Sequence, residues 1–227
     1  MDKKISDIIE WDVVNWSRAL DFWEKNTQLD LTTASGIELG SRHGGLSLWL
    51  ALKGAHVKCT DLDGPTELAV EKHKRYAVAH LIDYEAMDAT NIPFSEKFDL
   101  IIFKSMLGQV GWENHAEKQN QAIKSIFSAL KPGGELFFVE NLIGSPLHQF
   151  FRRTFIPWGT RWRYVTRNEM LLYFAPFSEV KYEMSGFLGA FGRNEQQRSI
   201  LGKIDNQFAN SLVPEEWKYI MIGIAKK

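Results

Sequence analysis

Residues 36–61, reading GIELGSRHGGLSLWLALKGAHVKCTD, constrain the fold of this chain more than any other stretch. An apolar run ends in Glu38-Leu39-Gly40, the glycine-bearing turn SRHGG follows, and LSLWLAL then reads as a helix that stops at Lys53-Gly54. A second apolar run over residues 56–60 ends on Asp61. Strand, tight turn, helix and strand, with an acid at the tip of the second strand, make a unit that binds an adenosine-bearing cofactor. Glycines admit the ligand close to the backbone, and the helix N-terminus offers free N–H groups. The carboxylate accepts two hydrogen bonds from ribose hydroxyls. Asp61 stands 21 positions after Gly40, against about 20 in a dinucleotide site.

The rest of the sequence supports one domain built around this unit. A chain of 227 residues is long enough to bury one sizeable core, and its 44% apolar and 24% charged residues are ordinary for a globular protein. A formal net charge of −1 gives no global attraction to nucleic acid or membrane, so any electrostatic preference is local. The lone Cys59 excludes a disulfide within the chain and any cysteine-rich metal site. No His, Asp or Glu cluster has metal-ligand spacing, so no metal is expected. The N-terminus has no leader pattern and no apolar run could span a bilayer, which suggests a cytoplasmic protein.

Residues 7–26 place Ile8, Ile9, Val13, Trp16, Leu20 and Trp23 near one helical face, which predicts a leading amphipathic helix within a helical segment over residues 1–30. After the nucleotide-type unit, Gly64-Pro65 opens a helix reaching about Ala77, and a strand is expected over residues 79–85. Residues 98–103, FDLIIF, read as a parallel strand buried on both faces, with Lys104-Ser105 at its tip. A helix over residues 115–130 closes at Lys131-Pro132-Gly133-Gly134, and the fifth strand, over residues 135–139, leads to Glu140-Asn141. Thr166-Arg167-Asn168-Glu169 is a capping-box pattern opening a helix over residues 169–174. Val180, Tyr182 and Met184 alternate in a sixth strand, and residues 217–225 make a seventh.

A nicotinamide dehydrogenase would require G-x-G-x-x-G, and here Gly40-Ser41-Arg42-His43-Gly44-Gly45 lacks the middle glycine. Three further motifs follow in order: Asp88-Ala89 with Ile92-Pro93-Phe94, Phe98-Asp99, and Leu130-Lys131-Pro132-Gly133-Gly134. With these the sequence resembles the class I S-adenosylmethionine-dependent methyltransferases over most of residues 30–140. The resemblance implies an α/β, Rossmann-like, seven-stranded, mostly parallel sheet whose last strand is antiparallel, with helices on both faces. It also implies S-adenosylmethionine as cofactor. Glu38 and Gly40 match the family's E-x-G, Asp61 its ribose acid and Asp88 its adenine-side acid. With Ser41, Arg42, Gly44, Leu62, Ala89 and Lys104 they form the expected cofactor site. Arg42 departs from the family's usual glycine. ELGSRHGGLSLWLALKG and FLGAFGRN are also similar, more narrowly, to methyltransferases of bacterial surface-polysaccharide biosynthesis.

Sulfonium methyl transfer is an in-line displacement, so the protein chiefly has to hold the nucleophile aligned and dry. Ligands of open α/β sheets sit beyond the carboxyl ends of the strands, so the excursions over residues 141–168 and 186–216 are expected to form a helical cap over the pocket. The first carries Arg152, Arg153, Arg161, Arg163 and Arg167 with no acid before Glu169, interleaved with aromatics. Arg152, Arg153, Trp158, Arg161, Trp162 and Tyr164 are therefore candidates for binding a small anionic, sugar-like acceptor. A solvated basic face, contact of the cap at residues 145–165 with an anionic membrane, or RNA stacking are the other readings. The neutral overall charge disfavours nucleic acid. His148, on the cap, is the first candidate base, with Lys104 and Glu140 as further catalytic candidates. His43 and His115 read as structural. The competing functions are a methyltransferase of a lipid, quinone or other metabolite, and a cofactor-binding module without catalysis.

Overall fold

The computed structural model describes residues 2–157 and 160–227. Seven strands form one sheet: β1 (Ser35–Leu39), β2 (His56–Asp61), β3 (Ile82–Ala86), β4 (Phe98–Lys104), β5 (Leu130–Asn141), β6 (Glu179–Ser185) and β7 (Ile220–Lys226). Their spatial order is β3-β2-β1-β4-β5-β7-β6, parallel from β3 to β5. The final strand, β7, runs antiparallel between β5 and β6, so the expected topology is found. Ile220 pairs with both Asn141 and Ser185, and the excursions after β5 and β6 leave the sheet at the same edge, as the sequence suggests.

Alternation along the central strands splits the interior into two layers. On β4 and β5, Leu100, Ile102, Phe137 and Val139 face one core, with Trp16, Trp23 and Trp49. Ile101, Phe103, Leu136 and Phe138 face the other, under the helix that precedes β5. The Trp23 indole N–H donates to the Gly223 carbonyl at 3.0 Å, so this large side chain is buried without an orphaned donor.

The leading helix is not continuous. It is divided into α1 (Lys3–Ile9), α2 (Val13–Trp16) and α3 (Arg18–Asn26), because Glu10 and Asp12 take left-handed backbone conformations with φ of 72° and 46°. The helical periodicity of residues 7–26 is real, but a partner distant in sequence overrides it. The backbone N–H groups of Asp12 and Val13 donate to the Glu195 carboxylate, each at 2.8 Å, so Glu195 caps α2 from across the fold. The segment lies directly on the helix after β1, α4 (Gly45–Leu52). A side chain on Gly45 would put its Cβ 2.0 Å from the Ile8 carbonyl oxygen, so only glycine fits there.

Next in order are α5 (Glu67–Arg75), α6 (Leu107–Val110), α7 (Ala116–Ala129), α8 (Pro146–Phe155), α9 (Arg167–Tyr173), α10 (Glu195–Ile204) and α11 (Asn210–Leu212). The helix expected from Gly64-Pro65 begins at Glu67, after an extended Thr66. Residues 79–81 form a 3-10 turn before β3. The strand expected at residues 135–139 begins at Leu130, which pairs with Phe98 across a register shift. The capping box at Thr166 and Glu169 is present.

Candidate active site

A cavity of about 1050 Å3 lies at the carboxyl edge of the sheet. Glu38, Gly40, Ser41, Arg42, Asp61, Leu62, Asp88, Ala89 and Lys104 all line it. The Glu38 carboxylate accepts from the N–H groups of Leu46 and Ser47 and from the Ser47 hydroxyl, at 3.2, 2.7 and 2.5 Å. It therefore holds the turn against the start of α4, and burial raises its pKa to about 7. Arg42 takes φ 49°, the left-handed conformation for which glycine is the usual choice. Its N–H donates to Asp61 Oδ2 at 2.7 Å, and the Leu62 N–H donates to Oδ1 at 2.8 Å. One further acceptor position remains on each Asp61 oxygen. Asp88 Oδ1 accepts from the Thr90 N–H and hydroxyl, both at 2.8 Å. The Ser41 hydroxyl is buried with no partner among the described residues, a donor in the cradle that a bound cofactor would satisfy. Gly44 supports the turn from outside the cavity: it takes φ 68°, and its carbonyl is bonded by His73 Nε2 at 2.8 Å.

The opposite wall comes from parts of the chain far apart in sequence. Glu10, Trp11 and Asp12 from the α1–α2 break line it, with Tyr219, Arg198, Asn141 and Arg152. Tyr219 donates a short hydrogen bond to the Asp12 carboxylate and accepts from Asn15 Nδ2 at 3.0 Å. Burial, reinforced by Glu195 and Asp205, pushes Asp12 up to about 7 against the opposing pull of Tyr219 and Arg198. A side chain on Gly189 would place its Cβ 2.2 Å from Asn15 Nδ2 and 2.8 Å from the Tyr219 hydroxyl, so only glycine fits against this buried pair. Lys104 Nζ donates to the Ile9 carbonyl at 2.7 Å and lies over the Trp11 ring at 4.7 Å. Burial lowers its pKa to about 8. Lys104 thus fastens the N-terminal segment over the cavity.

Two candidate catalytic residues are withdrawn from this volume. His148 is buried in the capping box of α8. Its Nδ1 accepts from the Ser145 N–H at 3.0 Å, so Nε2 carries the proton and donates to the Phe187 carbonyl at 2.8 Å. Burial depresses its pKa to about 4, and it does not line the cavity. Glu140 is fully buried, its oxygens taken by the N–H groups of Leu107 and Asn141, both at 2.9 Å. It caps the start of α6 and is likewise absent from the lining.

The arginines of the cap divide. Arg163 pairs with Glu169 and Gln119, and Arg167 with Glu215 at 2.9 Å, so both are structural. Arg152 is buried without a carboxylate partner among the described residues. It donates to the carbonyls of Leu142 and Ile143 and to Asn141 Oδ1, and stacks on the Tyr164 ring at 3.9 Å. A second pocket of about 340 Å3 is lined by Arg152, Arg153, Arg161 and Arg163 with Trp162 and Tyr164. Arg152, Trp162 and Tyr164 line both pockets. Arg153 and Arg161 do not reach the main cavity, and Arg161 approaches Glu113 at 4.0 Å. Trp158 lies outside the described residues. Among the described residues no group of three or more His, Cys, Asp or Glu could hold a metal ion.

Residues 37–138 match the family model of a methyltransferase domain. This stretch is similar to a methyltransferase domain. It holds the turn after β1, both candidate cofactor acids and most of the first five strands. No curated protein sequence matches the chain. Solved structures share its fold at low identity. The Haemonchus contortus phosphoethanolamine N-methyltransferase 2, solved with phosphomonomethylethanolamine and S-adenosylhomocysteine, has a TM-score of 0.64 at 14% identity, over 93% of this chain and 52% of that one. A possible histamine N-methyltransferase of Thermotoga maritima, described as dependent on S-adenosylmethionine, has 0.62 at 15%, over 95% and 91%. The [4+2]-cyclase SpnF has 0.63 at 17%, over 92% and 80%. A cyclase on this fold shows that the fold does not fix the reaction. The domain match and the cavity's lining together support S-adenosylmethionine as the cofactor.

Proposed function

We propose that the chain transfers the methyl group of S-adenosylmethionine to a small anionic, sugar-like acceptor, phosphorylated or nucleotide-linked. The observation that carries the acceptor's charge is the arginine pocket that shares Arg152, Trp162 and Tyr164 with the main cavity; no acid occurs among the described residues lining that pocket. Guanidinium forks suit phosphate and carboxylate, and the faces of Trp162 and Tyr164 suit a sugar ring or base. The cofactor supplies a methyl already activated on a sulfonium. The chain's own residues then have three tasks: to seat the acceptor, exclude water and take its proton. Asp12 suits the last task, because it lines the cavity and ionises near neutrality.

Release of S-adenosylhomocysteine from a panel of sugar phosphates, nucleotide sugars and their neutral parents tests this reading. Charged acceptors are expected to react, and Arg161→Ala to raise their KM about tenfold with the heat of S-adenosylhomocysteine binding unchanged. Neutral parents reacting as fast as charged acceptors would exclude the anionic reading. Cofactor binding without turnover of any acceptor would favour a binding module.

A further inference from the structure

The helix α8 is packed inside out. Its buried residues are His148 and Arg152, while Leu147, Phe150 and Phe155 are each more than half exposed. A second apolar stripe runs along α10, its π-helical continuation Asp205–Ala209, and α11. There Ile200, Ile204, Phe208 and Leu212 recur every fourth residue, and all except Ile204 are more than half exposed. The Arg193 guanidinium lies over the Phe155 ring at 5.4 Å, which joins the end of α8 to the segment leading into α10. None of these seven side chains lines the main cavity.

Along these two segments the exposed charge is mainly positive, although Glu215 and Glu216 lie exposed just beyond Leu212. No acid occurs over residues 142–168, and over residues 186–212 there are only Glu195 and Asp205. Both turn inward: Glu195 caps α2, and Asp205 accepts from the N–H groups of Leu188 and Gly189 at 2.7 and 2.9 Å. Arg153, Arg193 and Lys203 remain exposed beside the apolar stripes. Apolar side chains flanked by long cations are what an interfacial surface requires. The apolar groups enter the boundary between headgroups and acyl chains, and the cations reach the phosphates. Among the described residues no helix is long and apolar enough to cross a membrane.

We propose that the outer face of the cap, formed by α8 and the α10–α11 stripe, docks on an anionic phospholipid bilayer. α8 then meets lipid with Leu147 and Phe150 and the cavity with Phe151 and Arg152, so an acceptor displayed at the bilayer surface enters beneath it. The surface itself does not depend on the identity of the acceptor.

Co-sedimentation with phosphatidylcholine vesicles, with and without phosphatidylglycerol, tests the proposal on the full chain. Binding is expected only with phosphatidylglycerol, and is expected to fall as salt rises. Leu147→Gln with Phe150→Gln should weaken it about tenfold per side chain, and Phe208→Gln should act in the same direction. The heat of S-adenosylhomocysteine binding, measured on each variant, reports folding and cofactor binding separately from docking. No binding, or equal binding to neutral vesicles, overturns the proposal. So does a dimer in solution that the same substitutions disperse, because the stripes would then be covered by a second copy.

Discussion

Asp12 shows how a residue gains a role that its neighbours in sequence do not announce. Its carboxylate is buried beside Tyr219, with Glu195, Asp205 and Arg198 supplying the surrounding charge. A base must be ionised to take a proton, so methyl transfer is expected to rise with pH through about 7. Asp12→Asn should lower the rate by about 10²-fold or more and abolish that limb, with S-adenosylhomocysteine binding intact; kcat against pH checks it. That Glu38 and Asp61 line one cavity is legible in the sequence, because strand, turn and strand tip are local to one another. That Asp12, Trp11 and Tyr219 line it too is not, because nothing in a helical pattern reveals that Glu195 will break it. Glu140 and His148 have the right chemistry at the right edge of the sheet. What removes them from the cavity is a set of backbone N–H and carbonyl groups whose positions only the fold supplies.

At the scale of elements, the segments defined by short-range chemistry came out as read: the Thr166 capping box, the alternation of β6 and the doubly buried β4. The N-terminal segment did not, and its break places Glu10, Trp11 and Asp12 over the cavity. Removing the cap contributed by α10 should therefore loosen this wall. Glu195→Ala is expected to cost about 1–2 kcal/mol of stability and to weaken S-adenosylhomocysteine binding; chemical denaturation and calorimetry measure the two effects. The reversed polarity of α8 was hidden for the same reason. Periodicity shows that a helix has two faces, and only packing decides which of them the protein buries.

For the molecule as a whole, His148 links stability to acidity. Its folded pKa, about 4, lies below the ordinary 6.5, so the unfolded chain binds a proton first as pH falls. The stability this histidine contributes is fully present above pH 6.5 and is lost as pH falls toward 4, by an amount on the order of 3 kcal/mol. His148→Gln is expected to lower stability at neutral pH and to flatten that acid-side loss; urea midpoints across the range test both. The sheet order has a consequence for synthesis. Since β7 fills the slot between β5 and β6, β5 is paired only with β4, and β6 has no neighbour, until residues 220–226 have emerged from the ribosome. From the completion of β5 until β7 is made, the nascent chain therefore carries an open sheet edge, a natural target for chaperones.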